Sequence, residues 1–298
     1  MEALIVNPVK QGAEAVVESF RARCAGRGAE PLVLETTVED PGAGMAREAL
    51  EKGAELVVVA GGDGTVRAAA GALAGTGTPL GVVPLGTGNL LARNLALPID
   101  DPEAALDTAM GGAERRIDVA WARMDDGDEL AFVVMAGLGL DATVMANTDD
   151  DLKAKAGWFA YVVSAAQNIV GESHRIRVDV DGRLAMERRQ RGVMIGNCGR
   201  IQGNVEVFPG AKVDDGILNV LAVAPSGFRG WFRVVGALLS RFRRHSPPDL
   251  GHFEGKRVRL TSAHAHDIQL DGDHLGQGTV FTARVDQGAL TVRAPQGA

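Results

Sequence analysis

The chain of 298 residues is poor in aromatic and sulfur side chains, with one tyrosine, three tryptophans, nine phenylalanines and two cysteines. Cys24 and Cys198 lie far apart without metal-ligand spacing. That excludes a disulfide scaffold and a cysteine-based zinc site, and it suits a reducing cytosol. No apolar run approaches the roughly 18 residues that cross a bilayer. The opening MEALIVNP has no basic region ahead of an apolar one, so neither a membrane span nor a signal peptide is expected. A concentrated basic face is missing too, and nucleic acid is therefore not an expected partner. The formal net charge is −7, and all of it sits in residues 1–118, with 10 basic against 17 acidic side chains. There is no GxxxxGK[ST] and no GxGxxG, which excludes the two commonest phosphate-binding signatures.

What is present is a hydrophobic fraction of 46% against 23% charged, a soluble globular composition long enough for two domains. The richest stretch runs from Glu55 to Asn94. An apolar run ending at Ala60 reads as a buried parallel strand, and Gly61, Gly62, Asp63, Gly64 and Thr65 follow it directly, ahead of an Ala-rich helix. The pattern repeats after Val83, where Gly86, Thr87, Gly88 and Asn89 separate a strand from a helix over Leu91–Leu95. Glycines let the backbone turn close to a bound group. The N–H groups and positive dipole end of the next helix favour an anion such as phosphate. One such turn alone is as often a plain tight turn.

Around this stretch, strand alternates with helix. Ala3–Asn7 reads as the first strand, Ala15–Phe20 as helix, Pro31–Glu35 as strand and Met45–Lys52 as helix. Crossover connections imply a doubly wound parallel sheet. Asn7, Thr37 and both glycine turns then fall beyond the carboxyl ends of its strands, where ligands bind in such sheets. From Arg115 the pattern changes to short alternating runs (IDVAWARM, LAFVVMAG, IRVDVDG, RQRGVMIGN, GILNVLAV, KRVRLTS, HDIQLDGD, TVFTARVD) with helical patterns near Asp141–Val170 and Phe228–Arg244. They predict a mostly antiparallel, sandwich-like second domain over 119–285 with helical insertions. The first domain covers 1–118, and the last run, Ala289–Arg293, either finishes the second domain or returns to the first as part of 286–298.

Two turns in the second half carry acidic pairs. Asp214-Asp215-Gly216 precedes an apolar strand and fits a hairpin turn or a hard-cation site such as Mg²⁺. Ile268–Gly276 (IQLDGDHLG) delivers Asp271, Gly272 and Asp273 to another turn, suited to a D-G hairpin, to metal binding or to general base work.

GGDGT after a strand, GTGNLLARN before a helix, then DDGxL and finally DGD, in that order, resemble the diacylglycerol kinase catalytic family of lipid kinases. The likeness covers nearly the whole chain. It implies a first domain that binds ATP through Asn7, Thr37, Gly61, Gly62, Asp63, Gly64, Thr65, Thr87, Gly88 and Asn89. It also implies a metal held by the Asp215 side chain and the main-chain carbonyls of Lys212 and Ile217. The expected activity is transfer of the γ-phosphoryl group of ATP, with Mg²⁺, to a hydroxyl of a membrane lipid such as diacylglycerol. Asp273 would be the base and Asp63 would orient metal or hydroxyl. The family commonly has Glu at the position of Asp273. The missing methylene shortens the reach by about 1.5 Å. NPVKQG is also less rich in Ser and Gly than the family's version.

Phe228, Trp231, Phe232, Val235, Leu238, Leu239 and Phe242 share one helical face opposite five arginines, with no acid between Gly227 and Arg244. Such a helix either packs on its own domain, the favoured reading because an amphipathic helix there needs no further explanation, or lies on an anionic membrane surface, which makes 228–244 the candidate peripheral contact of a cytoplasmic enzyme with the inner membrane face. A homodimer is compatible with this reading. Lys153–Tyr161 reads as core and solvated charge, Asp149–Asp151 as a helix cap, and His264, His266 and His274 as surface or packing residues rather than a metal site. Two other functions remain open: a GGDG-type kinase acting on a soluble acceptor, NAD- or sugar-kinase-like, and a nucleotide- or lipid-binding regulator whose DGD turn has lost catalysis.

Overall fold

A computed structural model describes residues 1–139, 173–201, 205–224 and 249–296. The stretches 149–151, 153–161 and 228–244 singled out in the sequence lie outside the described residues.

The first half runs β1 (Glu2–Val6), α1 (Ala13–Gly26), β2 (Pro31–Glu35), α2 (Ala43–Glu51), β3 (Leu56–Gly61), α3 (Asp63–Leu73), β4 (Leu80–Pro84), α4 (Leu90–Asn94) and α5 (Pro102–Gly111). The strands lie in the order β2-β1-β3-β4, all parallel. β3 and β4 are buried at every residue, as a sheet covered on both faces requires. Alternate residues of β1 and β3 feed different cores. Ile5, Val57 and Val59 pack with Ala46 of α2 and Ala69 of α3, whereas Leu4, Val58 and Ala60 pack with Val16 and Phe20 of α1 and Leu106 of α5. The sheet is thus doubly wound, with helices on both faces. α5 was not anticipated from the apolar pattern, although its start carries the signal: the Asp101 side chain accepts the Ala104 amide at 3.0 Å, with proline in the first turn.

The second half comprises β5 (Ala113–Met124), β6 (Leu130–Phe132), β7 (Met135–Leu138), β8 (His174–Val180), β9 (Arg183–Gln190), β10 (Gly192–Gly196), β11 (Arg200–Ile201), β12 (Val205–Glu206), β13 (Leu218–Val223), β14 (Leu250–Gly255), β15 (Arg257–Leu270) and β16 (Asp273–Ala294). Its main path is β14-β13-β10-β7-β15-β16, antiparallel throughout. The path does not stop there. Val292 of β16 pairs in parallel with Leu80 of β4, so one sheet runs through both halves.

The last run therefore does both things the sequence left open. Leu290–Ala294 pairs with Ala113–Ile117 beside β4, while the start of the same strand belongs to the antiparallel half. The strand parts of KRVRLTS and HDIQLDGD, Arg257–Ser262 and His266–Leu270, likewise belong to one strand, β15, with a register shift between Thr261 and His266 that breaks the alternation. The β15–β16 hairpin is what matters for the site. Its tip, Asp271-Gly272, turns with φ of 49° and 95° and brings Asp273 back to α3, 206 residues earlier in the chain.

Candidate active site

The site is built on the carboxyl edge of the parallel sheet. Asn7 follows β1, and its amide donates to the Ala60 carbonyl at 3.0 Å, so it stands beside the end of β3. Thr37 follows β2 and closes a small turn, its hydroxyl oxygen accepting the Asp40 amide at 3.1 Å. Between them and β4 lie the two glycine loops.

Those loops touch. A Cβ on Gly86 would stand 2.8 Å from the Cα of Gly62, and a Cβ on Gly61 would stand 2.9 Å from the Cβ of Thr65. Only hydrogen at Gly86 lets the two backbones lie this close, and only hydrogen at Gly61 leaves room for the Thr65 side chain of its own loop. Asn89 fixes the second loop in a left-handed conformation, φ 48°. Its side chain is consumed there: Nδ2 donates to the Gly86 carbonyl at 2.7 Å and Oδ1 accepts the Gly86 amide at 3.0 Å. Thr87 is the exposed residue of this loop.

Asp63 joins the loops. Its Oδ1 accepts the Leu90 amide at 2.6 Å, and its Oδ2 lies against Gly88, where a Cβ would be 2.6 Å away. Of the N–H groups ahead of α4, where an anion is expected, those of Leu90 and Asn89 already meet the Asp63 carboxylate. Burial pushes its carboxyl above the usual range, the amides of Leu90 and Asn89 pull it back, and the nearby Asp273 charge pushes it up again.

The two carboxylates of the DGD turn differ completely. Asp271 is 3% exposed and accepts the amides of Val133, Val134 and Met135 at 2.8, 2.9 and 2.8 Å. It holds the backbone between β6 and β7, with three amides on its two oxygens and its side chain closed off from solvent. Burial nonetheless pushes its carboxyl up to about 6. Asp273 is half exposed and reaches the first loop, its Oδ2 2.8 Å from where a Cβ on Gly64 would stand. Arg67 of α3 donates Nη2 to the same oxygen at 2.8 Å.

Arg67 and Lys10 did not stand out in the sequence. The Lys10 Nζ lies 3.9 Å from a Cβ built on Gly62, a cation over the seam between the loops. A basic residue between a strand and a glycine loop of this kind is the signal that would have found it.

Across the sheet, the Asp215 carboxylate accepts the amides of Lys212 at 3.3 Å and Ile217 at 3.0 Å. The turn brings together all three residues of the expected cation site, with amides rather than carbonyls on the carboxylate. Asp214 pairs with Arg115 at 2.9 Å, and the buried Asp118 accepts Gly216 and Gly288 amides at 2.6 and 2.7 Å. Among the described residues no three His, Cys, Asp or Glu side chains are grouped to hold a metal ion. A cation at Asp215 would thus depend on main-chain oxygens, a hard donor set that suits Mg²⁺. The rings of His264 and His266 lie against His174, tilted and edge-on respectively, with centroids 4.6 and 5.1 Å from it, while His274 pairs with Asp267 at 3.1 Å. Cys24 and Cys198 are free and buried.

The two glycine loops thus lie side by side at the carboxyl edge of the parallel sheet, and a carboxylate from a β-hairpin of the other half meets the first of them. Residues 2–122 match the diacylglycerol kinase catalytic domain, and residues 133–294 match the YegS C-terminal NAD kinase beta sandwich-like domain. A protein of Pseudomonas aeruginosa strain PAO1 named "Probable lipid kinase YegS-like" is 33% identical over 97% of this chain and 94% of its own length. A protein of the same name from Pseudomonas syringae pv. tomato is 35% identical over 84% of this chain and 79% of its own. A solved diacylglycerol kinase of Bacillus anthracis strain Sterne superposes with a TM-score of 0.74 at 25% identity, covering 99% of this chain and 97% of that one. The chain belongs to the YegS-like lipid kinase family, an ATP-using branch of the kinases with a diacylglycerol kinase catalytic domain. No helix among the described residues is long and apolar enough to cross a membrane.

Proposed function

We propose that this chain phosphorylates a hydroxyl group of a membrane lipid, diacylglycerol in the first instance, giving a phosphatidic-acid product. The observation that carries this reading is the meeting of Asp273 with the GGDGT loop: its Oδ2 lies 2.8 Å from the Cβ position of Gly64. A proton acceptor and the loop expected to hold ATP thus share one edge. The lipid hydroxyl oxygen attacks the γ-phosphorus of ATP and the bond from that phosphorus to the β,γ-bridging oxygen breaks. ADP leaves with the bond's electron pair, and the hydroxyl proton passes to Asp273.

Asn7, Thr37, Gly61–Thr65 and Thr87–Asn89 hold the nucleotide in this reading, with Lys10 over the seam. Asp63 keeps the loops together and orients the acceptor. Mg²⁺ bound with ATP would offset charge on the β and γ oxygens. A second divalent cation, shared by the Asp215 carboxylate and the main-chain oxygens of Lys212 and Ile217, would brace the turn ahead of β13. The sequence of 228–244 supports peripheral contact with an anionic membrane.

The test is transfer of labelled γ-phosphate from ATP and Mg²⁺ into diacylglycerol and a total lipid extract in mixed micelles, with Asp273→Asn alongside. Label in diacylglycerol that Asp273→Asn abolishes is the expected result. Label in another lipid would replace the acceptor. No label in any lipid, with label in NAD or a sugar offered in a parallel assay, would replace the class, and an Asp273→Asn protein of native activity would remove the base.

A further inference from the structure

Arg67 sits one helical turn after Asp63 on α3, so the two project on the same side of the helix. Its guanidinium crosses to the other half of the molecule and meets Asp273 at 2.8 Å. The pair is asymmetric: the Arg67 side chain is 14% exposed and that of Asp273 is 50% exposed. A half-exposed ion pair contributes at most about 1 kcal/mol, too little to make stability the reason for the contact. Two further observations point to the site instead. The Arg67 Nε is buried with no hydrogen-bond partner among the described residues, a spare donor beside the loops. The Arg67 charge is also felt by Asp271, the buried anchor of the same turn.

Asp271 fixes the backbone of that turn through three amides, but nothing else among the described hydrogen bonds fixes the Asp273 side chain. Among the described residues, Arg67 alone sets where its carboxylate points. The contact is made through Nη2 alone, and a planar guanidinium that stays charged fixes the direction of that donor better than the freely rotating ammonium of a lysine. We infer that Arg67 is a positioning residue that aims Asp273 at the acceptor hydroxyl, tying the base on the β15–β16 hairpin to the helix that follows the GGDGT loop. This rests on the reading of Asp273 as the proton acceptor.

The experiment compares kcat and the ATP KM of native enzyme, Arg67→Ala, Arg67→Lys, Asp273→Asn and the double variant Arg67→Ala/Asp273→Asn. Arg67→Ala is also assayed with low-millimolar guanidinium, and thermal unfolding is followed in each variant. Misplacing a catalytic group by about 1 Å costs up to roughly 100-fold, so Arg67→Ala should lose roughly 10–100-fold in kcat with its ATP KM nearly unchanged. Arg67→Lys should recover part of the loss, guanidinium should restore part of it, and the double variant should be no slower than Asp273→Asn. An Arg67→Ala enzyme with native kcat, beside an inactive Asp273→Asn, overturns this proposal alone. So does a loss that neither lysine nor guanidinium restores and that multiplies in full with Asp273→Asn. An Asp273→Asn enzyme of native kcat removes the base assignment and this proposal with it.

Discussion

The Asp63 carboxylate accepts the Leu90 amide at 2.6 Å, so the first residue of α3 caps the start of α4, 27 residues on. A single side chain therefore sets the spacing of the two glycine loops. Asp63→Ala leaves that amide without its charged acceptor, which costs about 1–3 kcal/mol. It should lower the urea midpoint and weaken ATP binding at least severalfold by titration. Asp63→Asn keeps an oxygen for the amide and should unfold closer to the native protein while still losing activity. If Asp63→Ala binds ATP as tightly as the native chain, the clamp has no part in nucleotide binding.

Gly86 tests the seam between the loops. Its added Cβ would press on the Gly62 Cα at 2.8 Å and on the Asn89 Oδ1 at 2.9 Å, so Gly86→Ala must move one backbone loop away from the other. Overpacking of this kind costs typically about 1–3 kcal/mol. Gly26, in the last turn of α1, has open space at the Cβ position. Gly26→Ala should be neutral or stabilising by up to about 1 kcal/mol. The expected ordering in thermal unfolding is Gly86→Ala below native and Gly26→Ala at or above it, with ATP affinity reduced only in the first. Equal melting temperatures for both variants would count against close packing of the loops.

Asp271 gives stability a pH dependence of definite sign. Burial raises its folded-state carboxyl to about 6, against roughly 3.9 for an unfolded aspartate. Between about pH 4 and 6 the folded chain keeps a proton that the unfolded chain has released, so this group's contribution falls as pH rises, by about 3 kcal/mol in all. Other carboxylates, such as Asp179 beside Arg177, are held low and push the opposite way. The quantity to measure is therefore the unfolding free energy of the native chain minus that of Asp271→Asn, at several pH values. It should decline from pH 4 to 7. A flat or rising difference would mean that Asp271 is not held up by burial.

Much of this was readable from residues alone, for physical reasons that differ by region. The apolar runs of β1, β2, β3 and β4 are short and closed by Asn-Pro, Thr or glycine, and β1, β3 and β4 are buried on both faces while the edge strand β2 is partly covered, so hydrophobic pattern located them. β15 and β16 were each read as two strands because register shifts at Thr261–His266 and Asp286–Leu290 interrupt the alternation. In the DGD turn the family likeness pointed to Asp273, but residue type and spacing alone did not separate its two carboxylates, and burial supplies the physical difference between the anchor Asp271 and the accessible Asp273. Arg67 had no local signal at all, because its partner is 206 residues away. Periodicity reports which face of an element is buried. It does not report which distant side chain waits there.

The turn at Asp215 yields a prediction that separates a cation site from a plain hairpin. Its carboxylate already accepts two amides, and burial together with the neighbouring charges of Asp215 and Asp214 pushes the Asp118 carboxyl up. A divalent cation there would relieve that crowding of negative charge and so stabilise the folded chain by mass action. With free Mg²⁺ at ten times its dissociation constant the gain is about 1.4 kcal/mol. Adding Mg²⁺ without nucleotide should raise the melting temperature of the native protein and of Lys212→Ala, whose main-chain carbonyl is intact. A chelator should reverse the rise, and Asp215→Asn should show neither change. If Asp215→Asn responds to Mg²⁺ as the native chain does, the cation binds elsewhere, and the two amides suffice to explain this aspartate as a turn former.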